Sequence, residues 1–114
     1  MLPSEHRLRH EKDIKTLLAR GKSVFGIWVG MKYRPNGLEK SRFAVVVGTK
    51  VSKKAVVRNR LKRQVRAIVQ ENIPKIVPGH DILLFMKKEI LEKDFFSIEE
   101  QVLQSFKKAR LLKG

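Results

Sequence analysis

The chain contains no cysteine. That excludes disulfides, thiolate zinc sites and a cysteine nucleophile. No apolar run approaches the roughly 20 residues that a membrane-spanning helix needs. The N-terminus, MLPSEHRLRHEKD, lacks the apolar core of a secretory signal. These absences lead us to expect a cytoplasmic protein with no membrane role. Internal repeats and low-complexity linkers are also missing, so residues 1–114 are expected to form a single domain. An apolar content of 42% is enough for one modest core.

Negative charge is the second shortage. There are 11 Asp and Glu against 26 Lys and Arg, which gives a net charge of +15 and a pI near 10.6. A small domain with that charge repels itself unless a polyanion takes it up. Nucleic acid, an anionic membrane face and an acidic protein are the candidate partners. The acids are also unevenly placed. None occurs between Glu39 and Glu71. That interval carries Lys40, Arg42, Lys50, Lys53, Lys54, Arg58, Arg60, Lys62, Arg63 and Arg66. The acids gather instead from Glu89 to Glu100.

Periodicity gives a coarse order of elements. Ile14, Leu17 and Leu18 sit at helical spacing in residues 10–20, and Gly21 stops the run. Residues 23–34 read as extended, with a break near Gly26 that would divide them into two strands. Pro35-Asn36-Gly37 is a turn between strands. The β-branched run 42–49 suits a central strand. A long helix is expected from Ala55 to Asn72, ended by Pro74. Pro78-Gly79 turns the chain into a buried strand at 81–87. Ser97 and Glu100 form a capping box for a last helix reaching Leu111. Its inner face would be Ile98, Val102, Phe106 and Ala109. The fold class is α+β with a small mixed sheet.

Residues 57–69 resolve into two faces on a helical wheel. Val57, Leu61, Val65, Ile68 and Val69 fall within one arc of roughly 120°. Arg58, Asn59, Arg60, Lys62, Arg63 and Arg66 fill the rest. Solvated helix faces usually mix charge signs at i,i+4 spacing, and this one does not. Arg offers a planar fork that matches pairs of phosphate oxygens. Asn59 adds a donor and an acceptor, suited to a ribose, a base edge or a hydrated metal ion. Lys50, Lys53 and Lys54 extend the patch into the preceding loop. We therefore expect a nucleic-acid-binding surface from Lys50 to Arg66.

Other polar groups carry less. His6 and His10 stand four apart but have no evident third metal ligand, so a solvated pair is expected. His80 beside Asp81 reads as structural. Glu5, Glu11 and Asp13 lie in a charged segment and read as surface carboxylates. No phosphate-cradling glycine loop or nucleophile–base pair is present, so no catalytic residue is expected in this chain. Strand alternation in WVGMKY places Trp28, Gly30 and Lys32 on one face and Val29, Met31 and Tyr33 on the other. Trp28 is then either a stacking platform for an unpaired base or a core residue.

The segment KVSKKAVVRNRLKRQVR, Lys50 to Arg66, resembles the protein subunit of bacterial ribonuclease P. The match lies in Arg58-Asn59-Arg60 followed by Lys62-Arg63 and Arg66. Arg7-Leu8, Arg20-Gly21-Lys22-Ser23, the Phe43 to Gly48 strand and Gly79-His80-Asp81-Ile82 extend it over nearly the whole chain. The resemblance implies a two-layer α-β-β-β-α-β-α sandwich like the second domain of ribosomal protein S5, with the basic helix in a left-handed crossover. It implies an accessory subunit of an endoribonuclease that matures the 5′ end of tRNA. The catalyst would be the ribonuclease P RNA, with Mg²⁺ held mainly by that RNA and one protein per RNA. Lys53, Lys54, Arg58, Asn59, Arg60, Lys62, Arg63 and Arg66 would face the RNA. The 5′ leader of precursor tRNA would lie in a cleft between the first helix and the sheet, beside Ile14, Leu18, Trp28, Gly30 and Lys32. Ile14, Leu18 and Lys32 stand where the family often has aromatics. Trp28 is the ring expected to replace them.

The residues alone leave rivals open. Another RNA-binding module, such as a ribosomal protein, predicts the same charge. A DNA-binding regulator would use 55–72 as a recognition helix, but a strand follows where a helix-turn-helix wants a helix. A self-sufficient protein nuclease is the third rival.

Overall fold

The computed structural model describes residues 2–113. Helix α1 spans Glu11–Arg20, and strands β1 (Lys22–Phe25) and β2 (Val29–Pro35) form a hairpin. Strand β3 (Arg42–Val46) leads through helix α2 (Ala55–Asn72) to strand β4 (His80–Met86). Helix α3 (Phe95–Lys108) closes the order. The sequence places α2 with the same bounds. It also places the break near Gly26, where the chain turns from β1 into β2. Gly37, in the turn after β2, has φ 73, a left-handed conformation that costs glycine little.

The four strands lie in the order β1-β2-β4-β3, with β3 and β4 parallel and the other neighbours antiparallel. The run 42–49 is thus an edge strand, not the expected central one, and it ends at Val46. Its buried β-branched residues, Val45 and Val47, are explained by packing in the α2–α3 core, not by two strand neighbours, and Val46 on the opposite face is left open. Part of its free edge is covered, because the Leu8 N–H donates to the Phe43 carbonyl at 2.9 Å. The central position belongs to β4.

Alternation along the strands builds a core on each side of the sheet. On one face Val29, Met31, Phe43, Val45, Ile82, Leu84 and Met86 pack with Leu61, Val65, Ile68 and Val69 of α2 and with Ile98, Val102 and Phe106 of α3. On the other face Leu83 and Ala44 meet Leu8, Ile14 and Leu17. Helix α1 therefore lies alone on its face, held by a small apolar cluster.

Polar contacts reinforce that hold. Asp81 is only 5% exposed and receives two bonds from Arg42, 2.8 and 2.7 Å long. Hydrogen bonding to Asp81 raises the Arg42 pKa above its ordinary value. Asn36 also donates to Asp81, at 3.0 Å. Arg42 reaches α1 through Asp13 at 3.3 Å. Asp13 is thus half-buried and paired, not the surface carboxylate expected of it. At the other end of α1, the Lys32 ammonium donates to the Leu18 carbonyl at 2.7 Å.

Helix α3 starts two residues before the expected capping box. Asp94 is its N-cap, and its carboxylate accepts from the Ser97 N–H at 2.8 Å. Its end also comes early: Arg110 takes φ 60, which no right-handed helix continues through.

Candidate nucleic-acid interface

Helix α2 presents its two faces as the wheel divides them. Leu61, Val65, Ile68 and Val69 are buried, and Val57 packs against the same core. Asn59, Arg60 and Arg63 are exposed, while Arg58, Lys62 and Arg66 are half-exposed at the margins. Lys50, Lys53 and Lys54 are exposed in the loop that leads in. Of the ten cations between Glu39 and Glu71, Lys40 pairs with Glu5 and Arg42 with Asp81. The other eight make no ion pair among the described residues.

Local structure fixes the approach to this face. The Ser52 hydroxyl accepts from the Lys54 N–H at 3.2 Å, and Arg58 donates to the Ser52 carbonyl at 3.0 Å. The loop is thereby tied to the first turn of α2. Lys54 occupies the N-cap without a side-chain hydrogen bond, so the positive end of the helix dipole adds to the cationic field. A rigid, unpaired set of Arg and Lys suits a phosphate backbone.

A second surface lies on the α1 side of the sheet. Strand register divides it into transverse rows. Ser23, Lys32, Leu83 and Ala44 form one row, over which α1 passes. Phe25, Gly30, Phe85 and Val46 form the next row. Phe25 is 66% and Val46 45% exposed, so both ends of that row are open. Leu18 on the adjoining helix is 47% exposed. Near the β3 edge the groove is about 420 Å³ and is lined by Ile14, Leu83, Ala44, Val46 and three arginines: Arg7, Arg9 and Arg66. Arg66 therefore belongs both to the basic helix and to the groove.

The family model described as Ribonuclease P matches residues 2–110. The chain belongs to the ribonuclease P protein family. It is 34% identical to the ribonuclease P protein component of Microcystis aeruginosa over 117 residues, covering 99% of this chain and 98% of the relative. It is 36% identical to that of Thermotoga maritima over 106 residues, covering 90% of each. A solved Thermotoga maritima RNase P protein superposes with a TM-score of 0.83 at 34% identity, covering 90% of this chain and 96% of the other. The Staphylococcus aureus RNase P protein gives 0.86 at 20% identity over 95% and 98% of the two chains, a likeness of fold.

One expected groove residue of this ribonuclease P family member lies elsewhere. Trp28 precedes β2, which begins at Val29, so strand alternation does not govern it. It packs against the α2–α3 core, and the Lys93 ammonium sits 4.7 Å from its ring centroid. Trp28 is thus a flank of the core and does not line the α1 groove. Gly30 and Lys32 do face the groove, Ile14 lines its wall, and Leu18 is exposed beside it.

The sequence reading also missed groove residues. Arg7, Arg9, Val46, Phe25 and Phe85 were not singled out as binding residues. The alternation of Leu83 with Phe85 was visible, but which face they share depends on pairing with β2 and β3. The histidines are structural or apart. His6 is half-buried, with Nδ1 2.8 Å from the Ser41 carbonyl, so it is not one of a solvated pair. The His80 ring contacts the Pro78 carbonyl, and the His80 backbone N–H donates to the Ser41 hydroxyl. Among the described residues no three His, Asp or Glu side chains come together as a metal-binding group, and no helix is long and apolar enough to cross a membrane.

Proposed function

We propose that this chain is the protein subunit of ribonuclease P, the endoribonuclease that matures the 5′ end of tRNA. The carrying observation is the α2 face, where Arg58, Arg60, Lys62, Arg63 and Arg66 surround Asn59 without an ion-pair partner among the described residues. On this reading the face holds the ribonuclease P RNA, together with Lys50, Lys53 and Lys54. The groove beside α1, with Ile14, Leu18, Gly30 and Lys32, takes the single-stranded 5′ leader of precursor tRNA. Arg66, shared by both surfaces, would keep the two RNAs adjacent. One protein serves one RNA.

The chemistry belongs to the RNA in this proposal. Magnesium ions bound there would supply the hydrolytic nucleophile and stabilise the leaving oxygen. Among the described residues no three histidines or carboxylates converge, so on this reading the chain itself supplies no cation site. Its work is to neutralise phosphate and to orient the substrate.

Reconstitution tests the proposal. Ribonuclease P RNA at limiting magnesium should regain cleavage of precursor tRNA when this protein is added. Failure to restore cleavage, or cleavage by the protein after removal of all RNA, would overturn it.

A further inference from the structure

We infer that Phe25 and Phe85 form the base-stacking floor of the groove, contributed by the sheet and not by helix α1. The inference rests on the proposed leader site and names the side chains that grip the strand there.

Three strands cooperate to build this floor. Phe25 on β1 pairs in register with Gly30 on β2, and Gly30 pairs with Phe85 on β4. All three point to the α1 side of the sheet. Any Cβ on Gly30 would overlap the Phe85 ring, so the ring lies across β2 in space that only glycine leaves. It thereby approaches Phe25, with ring centroids 6.4 Å apart and planes inclined at 66°. The two rings make a corner. A flat base laid on one ring meets the other edge to face, the favoured geometry for aromatic contacts.

Exposure and surroundings point to an unpaired base as the occupant. A phenylalanine ring left 66% exposed leaves much apolar area in water, which burial under a ligand would recover. The neighbouring row supplies the Lys32 ammonium, and Arg7, Arg9 and Arg66 stand toward the β3 edge. Aromatic faces flanked by cations are how proteins hold single strands without reading their sequence. The helix wall cannot supply such a ring, since Ile14 and Leu18 are aliphatic. Trp28 packs on the other side of the sheet.

The test uses the holoenzyme reconstituted with ribonuclease P RNA. Its affinity for precursor tRNA carrying a 5′ leader is compared with that for the same tRNA lacking one. The ratio of the two is the leader-dependent gain. The Phe25→Ala, Phe85→Leu double variant should cut this gain about tenfold, within the range for loss of one base stack. Affinity for leaderless tRNA should stay unchanged. Phe25→Trp should retain the gain, as a stacking role requires. A 2-aminopurine placed at successive leader positions should be quenched at one position by the wild type and not by the double variant. If the double variant unfolds, Phe25→Ala alone carries the test, because that ring is largely in solvent. An undiminished gain in the Phe variants with a lost gain in Leu18→Glu would overturn the stacking floor and leave the groove reading standing. An undiminished gain in both would overturn both.

Discussion

The Phe85 ring occupies the space that a side chain at Gly30 would need, on the neighbouring strand and on the face toward α1. This pairing of a large ring with a missing side chain sets the shape of the groove floor.

Gly30→Ala should force the Phe85 ring aside. Overpacking of this kind costs about 1–3 kcal/mol, to be read from urea unfolding. The same substitution in a Phe85→Ala background should cost much less. A double-mutant cycle measures the difference, and additivity would show that the two positions do not touch.

The α2 face should give a steep salt dependence. Arg60→Ala and Lys62→Ala should each weaken binding to ribonuclease P RNA by about 1–3 kcal/mol. Each should also lower the slope of log affinity against log salt by about one, as expected for a lost phosphate contact. Filter binding across a salt series checks both. Unchanged affinity in both variants would place the RNA elsewhere.

The Asp81–Arg42 pair should matter to stability. Asp81→Ala leaves the Arg42 guanidinium with Asp13 alone and deprives Asn36 of its acceptor. Breaking a buried pair costs about 3–5 kcal/mol, and the partial exposure of Arg42 points to the lower end. Chemical denaturation measures the loss. Arg42→Met with Asp81→Leu should recover part of it, since replacing both partners removes the stranded charge.

Helix α3 should show an acid-sensitive start. The Ser97 backbone N–H holds the Asp94 carboxyl below its ordinary value. A group depressed on folding stabilises the fold above its unfolded pKa and loses that contribution as pH falls through its folded pKa. Asp94→Ala should therefore lower the Tm by a few degrees at neutral pH. The gap between variant and wild type should close below about pH 3.8, the carboxylate's ordinary value. A gap that persists at pH 2 would show that the charge is not the source.

Local patterns made some of the molecule readable. The bounds of α2 follow from its apolar stripe and from Pro74 just beyond it. Its exposed cationic face follows from the same wheel. The hairpin break follows from Gly26. Other features depend on partners distant in sequence. Strand β3 reads as central because Val45, and Val47 just beyond it, are buried in the α2–α3 core, which a β-branched run cannot distinguish from burial by strand neighbours. Trp28 reads as a strand residue because alternation was extended one position past the true start of β2. The Phe25–Phe85 corner was invisible, since it needs the register between β2 and β4, which are separated in sequence by β3 and α2. The α3 cap was misplaced because Ser97 and Glu100 fit a capping pattern that Asp94 satisfies first.

The basic helix has one property that bears on engineering. Arg58, Lys62 and Arg66 follow one another at i,i+4 spacing, an arrangement that destabilises a free helix. Its order is borrowed from Leu61, Val65, Ile68 and Val69, which the sheet and α3 cover, and it is also the crossover joining the parallel strands β3 and β4. A peptide of residues 50–72 should therefore be largely unstructured in water. The proposed RNA-binding face is not a portable tag that can be grafted onto another scaffold. Moving it means moving the whole domain.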